Sequence, residues 1–383
     1  VYEESYCTSP LCTPSRYSLL TGLYPHQHLG WSNVSTIPPG TETFASLARR
    51  AGYRTAAVGK MHLTPTYQEI GFDEMILAEQ NGEGRFEDDY HHELSRHGLI
   101  DKVDLIDQVS RYRSNPQFAD GEYWSSLGTR ASDLPEYHHS TAWIGREAMK
   151  RIESWEDGQP QLLMVSFIKP HHPFDPPKPW DAMYDPDRLR LLPGYAESCP
   201  PGDLALHEGF FPHRSWSEPQ LRRAMAHYYG AISHMDHYIG RILQLLKDRG
   251  LYEDTLIIFT SDHGEYMGFH HMLLKQNYAY DPLVKVPLIV KWPGLVRAGT
   301  RDARLVGGVD VTATIVAQAG AQPAHGMTGL HLADPAATRP YVYCEELRGR
   351  QYMIRSREFK LILCEEEAKC RFFDLRSDPL EWN

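Results

Sequence analysis

Residues 256–265 read LIIFTSDHGE, an unbroken apolar run that gives way to polar residues. The run at 256–261 is too short for a helix and too continuously apolar for a strand with one wet face, so it predicts a strand buried on both sides. Before it, residues 218–249 space apolar side chains three and four apart and are followed by Gly250, which predicts a long helix with a glycine stop. A helix leading into a buried strand is typical of a layered α/β domain.

The same alternation recurs along most of the chain. Further apolar runs that predict buried strands lie at 54–59 (RTAAVG), 162–168 (LLMVSFI) and 287–292 (PLIVKW). Helical patterns lie at 43–51, 137–155 and 311–319. Together these segments predict an α/β fold with a mostly parallel sheet flanked by helices. In open sheets of this kind, functional residues lie beyond the carboxyl ends of the strands.

The pattern changes after about residue 338. Four short alternating strands with charged connectors are predicted at 341–344, 352–355, 360–364 and 371–375. We therefore expect two domains, a catalytic α/β domain at 1–338 and a small antiparallel subdomain at 339–383. The stretch 79–135 has weak periodicity and many acidic and His residues, so it is interpreted as an insertion over the functional edge. Its acidic and aromatic residues (Glu87, Asp88, Asp89, Tyr90, Tyr123, Trp124) suit a solvated face or a cage for a cationic group.

Composition excludes some classes of function. The 383 residues carry a formal net charge of -11, which argues against a nucleic-acid-binding protein, because phosphate backbones require clustered Lys and Arg. An anionic substrate would need a local positive field. No apolar stretch reaches the roughly 18 residues of a membrane span. Six Cys are too few for a disulfide scaffold and leave the compartment open.

The most specific motif is CTPSR at 12–16, followed by LLTG at 19–22. Pro14 suits an early helical position, and the free N–H groups of that helix would face an anion beside Cys12, next to the fixed charge of Arg16. The motif resembles the C-x-P-S-R and L-x-T-G signature of the type I sulfatases, a family of the alkaline phosphatase superfamily. That resemblance implies that a formylglycine-generating maturation enzyme oxidises Cys12 to formylglycine, an aldehyde.

A second motif, TSDHGE at 260–265, directly follows an apolar strand. A carboxylate and an imidazole side by side at a strand end can both reach one cation. Sulfatases bind Ca²⁺ or a similar ion with such a pair, so the resemblance assigns Asp262 and His263, together with Cys12, as metal ligands. It also includes the later G-x-H-x-x-x-x-K pattern, here Gly268, His270 and Lys275.

Two further segments match the family, GKMH at 59–62 and PHHP at 170–173. The resemblance assigns Arg16, Lys60, His171 and Lys275 to neutralising charge on the sulfate oxygens. His62 is assigned to orienting the hydrated aldehyde or taking its proton, and His270 to donating a proton to the leaving oxygen; these two roles could be exchanged. The metal expected is Ca²⁺, with Mn²⁺ or Mg²⁺ as alternatives.

The implied activity is hydrolysis of a small-molecule or saccharide sulfate ester. The nearest alternative is a phosphonate monoester or phosphodiester hydrolase of the same superfamily, which shares the Cys motif but differs around Lys60 and His62. The other is a non-catalytic binding relative, which the presence of both Cys12 and Lys275 disfavours.

The resemblance extends from about residue 6 to the closing FDL and DPLE at 373–375 and 378–381. Sulfatases also have an earlier strand that ends in an Asp pair, and those carboxylates bind the metal. Glu3 and Glu4 are misplaced for that role. We therefore expect a chain clipped at both ends, in which a signal peptide cannot be assessed and part of the metal site is missing.

Overall fold

The computed structural model describes residues 1–80, 87–100, 125–200, 202–203, 216–275, 278–346, 348–365 and 370–382. Much of the expected insertion at 79–135, including Tyr123 and Trp124, lies outside the described residues. The boundary expected near residue 338 stays a prediction.

Eleven strands form three sheets within the described residues. The strands are β1 (Tyr2–Tyr6), β2 (Arg54–Gly59), β3 (Glu74–Leu77), β4 (Gln161–Ser166), β5 (Ile257–Thr260), β6 (Leu288–Lys291), β7 (Asp302–Gly307), β8 (Val342–Glu346), β9 (Gln351–Arg355), β10 (Phe359–Cys364) and β11 (Arg371–Asp374). Their orders are β3-β2-β4, β5-β6-β1-β7 and β11-β10-β9-β8. In the first sheet both pairings are parallel, whereas in the second β6 runs antiparallel to both of its neighbours.

Helices cover these sheets. They are α1 (Cys12–Thr21), α2 (Pro25–His28), α3 (Phe44–Arg50), α4 (Asp89–Arg96), α5 (Ser140–Glu153), α6 (Glu218–Asp248), α7 (Asp281–Val284) and α8 (Gly308–Gln318), with short 3₁₀ helices at Glu136–His138, Trp180–Ala182 and Pro186–Arg188. None of the helices in the described part of the chain is both long and apolar enough to span a membrane.

The predicted α/β fold is confirmed, because all four apolar runs form strands and all four helical patterns form helices. The antiparallel subdomain is confirmed as a four-stranded sheet of consecutive neighbours. It packs on the catalytic domain through a shared apolar cluster in which Tyr6 and Cys7 meet Val342, Cys344 and Met353.

Strand β1 was not predicted, because its sequence YEESY has two acids in its centre. The structure pairs it on both sides, with β6 and β7. Glu4 forms ion pairs with Lys285 at 2.8 Å and Arg355 at 3.2 Å, and Glu3 with Arg301 at 2.6 Å. The two glutamates thus have structural partners, consistent with excluding them as metal ligands.

Candidate active site

Cys12 is the first residue of α1 and is 1% exposed. The ammonium Nζ of Lys275 donates to its Sγ at 2.7 Å, and His263 Nε2 lies 3.3 Å from the same sulfur. Because Cys12 stands at the amino end of a helix, the free N–H groups of the first turn add positive potential. Any anion held here would therefore meet positive charge from two directions.

Arg16, one turn further along α1, joins three strand ends. Its Nε donates to Asp262 Oδ2 at 2.8 Å, after β5. Its Nη1 donates to the Lys60 carbonyl at 2.8 Å, after β2, and to Ser166 Oγ at 2.9 Å, at the end of β4. Burial raises the pKa of Asp262, but the charges of Arg16, His263 and Lys60 together outweigh it and lower that pKa to about 2. Asp262 is therefore a carboxylate at any physiological pH.

The three predicted metal ligands lie together. One ligand atom from each of Cys12, Asp262 and His263 falls within 4.8 Å of the others. The Nδ1 of His263 is 2.8 Å from the Gly264 carbonyl, so this nitrogen carries the proton and leaves Nε2 as the atom that faces Cys12. These donors suit a cation, but Ca²⁺ takes about 6 to 8 oxygen ligands, so three residues do not complete its shell.

His171 and Lys275 form a pair beside Cys12. The His171 Nδ1 donates to the His172 carbonyl at 2.6 Å, which leaves Nε2 as an acceptor 3.2 Å from Lys275 Nζ. Burial, reinforced by nearby positive charges, holds the pKa of His171 well below its ordinary value, so the imidazole is neutral. A neutral His171 thus directs the Lys275 ammonium toward residue 12.

Lys60 and His62 follow β2 across a tight turn. A Cβ on Gly59 would lie 2.1 Å from the Ser166 carbonyl oxygen, and its φ is +100°, so the approach of β2 to β4 requires glycine. His62 itself has φ 58° and is buried, and its Nδ1 has no hydrogen-bond partner among the described residues. Burial lowers the pKa of His62, which favours the neutral imidazole that could accept a proton.

These cations decide the charge of Cys12. Burial alone would raise the pKa of the thiol, but Lys275, then Lys60 and His263, reverse the effect and hold it well below its ordinary value. The site therefore stabilises a negative charge at residue 12, in a chain whose net charge is negative.

His270 is a correction to the predicted site. Its Nδ1 lies 2.9 Å from Asp203 Oδ2 and its Nε2 lies 2.9 Å from the Leu380 carbonyl, and the ring stacks 4.2 Å from Trp382. Both ring nitrogens are thus engaged outside the Cys12 cluster, and His270 is not placed to protonate a leaving group there. The left-handed backbone at His270, φ 48°, contributes to directing the side chain this way.

Sequence reasoning missed three acids around the site, of which Glu79 and Glu346 are buried and Glu265 is partly buried. Glu79 Oε1 accepts from the backbone N–H groups of Met61 and His62, each at 2.8 Å. Glu265 Oε1 accepts from the backbone of Met267 at 3.2 Å and also of Leu274, beside Lys275.

Glu346, on β8, has its pKa raised to about 7 by burial, although His263 and Lys275 oppose that rise. Burial likewise raises the pKa of both Glu79 and Glu265 to about 7. The position of Glu79, two residues after a strand, was the only signal in the sequence that could have identified one of them.

Two acidic side chains of the expected insertion accept hydrogen bonds from backbone N–H groups. Asp88 caps α4 by accepting from the His91 N–H at 2.7 Å, and Asp89 accepts from the Leu77 N–H at 2.8 Å. These contacts favour a structural role for both over a cationic cage.

Two family models together match the whole chain. The family model "Sulfatase" matches residues 1–321, and the model "N-sulphoglucosamine sulphohydrolase, C-terminal" matches residues 268–383. An arylsulfatase of Clostridium perfringens is 29% identical over 99% of this chain and 81% of its own length. An N-acetylglucosamine-6-O-sulfatase of Bacteroides thetaiotaomicron is 26% identical over 100% of this chain and 75% of its own.

A similar fold is found among solved structures. A phosphonate monoester hydrolase from Silicibacter pomeroyi superposes with a TM-score of 0.79 at 22% identity, over 98% of this chain and 82% of that one. At this identity the likeness establishes the fold alone.

Proposed function

The chain belongs to the sulfatase family and is a sulfuric ester hydrolase, and on that premise we propose that it cleaves its substrate with an aldehyde hydrate formed from Cys12. The observation that carries the proposal is the convergence of Lys275 Nζ and His263 Nε2 on the Cys12 Sγ, at 2.7 and 3.3 Å. This sulfur occupies the place that the oxygens of the hydrated formylglycine would take.

In the first step, one hydrate oxygen attacks sulfur and the bond between sulfur and the ester oxygen breaks. His62 is the acceptor for the hydrate proton, because its imidazole is buried, close to residue 12 and has a lowered pKa. Lys275 donates a proton to the departing alkoxide, since its ammonium is the donor nearest to residue 12 and His171 orients it. This assignment replaces His270.

In the second step, the remaining hydroxyl of residue 12 gives its proton to the neutral Lys275 amine, the carbonyl re-forms and sulfate leaves, and His62 releases its proton to solvent. Water then adds to the aldehyde and restores the hydrate, so the net reaction is ester plus water giving alcohol plus sulfate. Arg16, Lys60 and Lys275 supply the positive charges that oppose the charge developing on the sulfuryl oxygens.

The ligand atoms of Cys12, Asp262 and His263 suit a divalent cation in part, and we propose that these residues hold one. When bound, such a cation would polarise the oxygens of residue 12 and of the sulfate group. We favour Ca²⁺, with Mn²⁺ or Mg²⁺ as alternatives, and the remaining ligands must come from other carboxylates.

The substrate class we propose is a sulfated saccharide or another small sulfate ester. A relative at 26% identity is an N-acetylglucosamine-6-O-sulfatase, which supports a saccharide. The alternative, a phosphonate monoester or phosphodiester hydrolase, is suggested by the shared fold.

The test is a panel of nitrophenyl, choline and sugar sulfates assayed beside bis-nitrophenyl phosphate, with protein made alongside a formylglycine-generating enzyme. We expect a higher kcat/KM for at least one sulfate ester than for the phosphodiester. Cys12→Ala should abolish turnover of both and serves as the control. Preference for the phosphodiester would favour the alternative activity, and no turnover by aldehyde-bearing, metal-loaded protein would favour a non-catalytic relative.

A further inference from the structure

Two histidines and a glutamate meet on the surface of the molecule, in elements that supply none of the predicted ligands. They are Glu93 on α4, His97 directly after that helix, and His138 at the end of a 3₁₀ helix. One ligand atom from each lies within 4.8 Å of the other two. We propose that Glu93, His97 and His138 form a second metal site, which takes Zn²⁺ or a similar imidazole-preferring transition ion.

Local sequence explains how three ligands converge. Glu93 and His97 are four residues apart, so a helix brings their side chains to the same face, one turn above the other. The rings of His97 and His138 have their centroids 4.7 Å apart and their planes inclined by 52°. Since zinc lies about 2.0 to 2.2 Å from nitrogen and carboxylate ligands, small side-chain rotations would bring the three atoms to bonding distance.

Two further observations point to a ligand. His138 Nδ1 is buried and has no hydrogen-bond partner among the described residues, although polar atoms in such positions normally have one. Glu93 Oε2 accepts from Trp143 Nε1 at 2.9 Å, which fixes the carboxylate as outer partners do at metal sites.

Arg146 is a positively charged neighbour that would repel a bound cation. Arg146 Nη2 donates to Glu93 Oε1 at 3.3 Å and its guanidinium lies 3.6 Å from the Tyr137 ring centroid. Its charge should weaken the site without blocking it, because each carboxylate oxygen can accept more than one contact.

The ligand set separates this site from the one at Cys12. Two imidazoles and one carboxylate suit Zn²⁺ and leave a fourth position for water, whereas Ca²⁺ prefers oxygen ligands alone. The proposed site would join α4 to the segment before α5. Its role would be structural, and it does not depend on the activity proposed at residue 12.

The experiment is a titration of the full chain with Zn²⁺ after saturation with Ca²⁺, followed by calorimetry. We expect His97→Ala and His138→Ala each to bind one Zn²⁺ fewer than the unaltered protein. His92→Ala is the matched control, because His92 is an exposed histidine on the same helix and should leave the stoichiometry unchanged. Equal Zn²⁺ stoichiometry in all four proteins would overturn the proposal.

Two further measurements test whether the loss of Zn²⁺ binding could come from unfolding or from metal binding by a cysteine. His97 is exposed, so His97→Ala should melt as the unaltered protein does in metal-free buffer. Co²⁺ bound at the site should give d–d absorption that His97→Ala removes, without a thiolate charge-transfer band. A thiolate band in its place would assign the bound ion to a cysteine and overturn the proposal.

Arg146→Met should strengthen Zn²⁺ binding, whereas the histidine substitutions should remove it. Removing this positive charge should tighten Zn²⁺ binding by at least about threefold, since even a water-screened repulsion at roughly 6 Å has that effect. Unchanged or weaker binding in Arg146→Met would contradict the site as drawn.

Discussion

The chemistry of Cys12 depends on residues that are far from it in the chain. Lys275 and His263 contact its sulfur, and Lys60 adds a further charge. The motif around Cys12 could be read from the sequence, but the strength of this field depends on three separate loops.

We expect Cys12, when unmodified, to be a thiolate at neutral pH. Although burial favours the thiol, the Lys275 and Lys60 ammonium groups and the His263 imidazole lower its pKa well below the ordinary value. The ultraviolet thiolate absorbance should be compared between the unaltered protein and Cys12→Ser as pH rises. Lys275→Met should raise the pKa of Cys12, and an identical titration in that variant would place Lys275 away from residue 12.

Substitution of Lys275 should lower catalysis, whereas substitution of His270 should lower stability. Lys275→Ala should lower kcat by about 10²–10³, as losing one preorganised charge does, with little change in the free energy of unfolding. His270→Ala should leave kcat within about threefold but lower the free energy of unfolding by about 2–4 kcal/mol, because buried hydrogen bonds and ring packing are lost.

Urea denaturation and steady-state kinetics on both variants provide the two quantities. If His270→Ala instead lost a hundredfold in kcat at unchanged stability, its assignment as a proton donor would return.

Glu79 should make stability depend on pH. Burial raises its pKa from the ordinary 4.5 to about 7, so the folded protein binds this proton more tightly than the unfolded chain. Its contribution is therefore present below about pH 4.5 and is lost as pH rises toward 7. Glu79→Gln keeps an oxygen for the Met61 and His62 N–H groups but cannot ionise.

Urea unfolding at pH 5 and pH 8 tests this effect. The free energy of unfolding of Glu79→Gln, relative to the unaltered protein, should rise by up to about 3 kcal/mol between these values. Glu265 and Glu346 are present in both proteins and cancel in the difference. A difference that does not change with pH would mean that Glu79 is ionised throughout.

Among the helices and strands, hydrophobic periodicity predicted those whose sequence pattern is regular. The long α6 and the apolar strands β2, β4 and β5 were evident because their patterns are strong. Strand β1 was missed because ion pairs from distant residues make its acidic centre tolerable. His270 was misassigned because spacing alone does not indicate where a side chain points in a left-handed loop.

Strands β4 and β5 are apolar yet only half-buried, and each is the edge of its sheet. Arg16 contacts Ser166, at the end of β4, and Asp262, just after β5. Arg16 therefore connects the edges of two different sheets.

Considered as a whole molecule, the protein concentrates positive charge at one sheet edge while its net charge is -11. The cluster around Cys12 includes residues of α1, of the loops after β2 and β5 and of the end of β4, and Lys275 in a later loop. Glu346, on the C-terminal sheet, lies close enough to His263 and Lys275 for their charges to lower its pKa. Such long-range convergence could be predicted only through the family motifs.

The chemical state of residue 12 in protein that hydrolyses a sulfate ester tests the central claim most directly. Peptide mass spectrometry should find an aldehyde at this position, in a fraction of molecules that rises in proportion to the rate of sulfate release. Protein in which residue 12 is only an unmodified thiol, and which still releases sulfate at the full rate, would contradict the account.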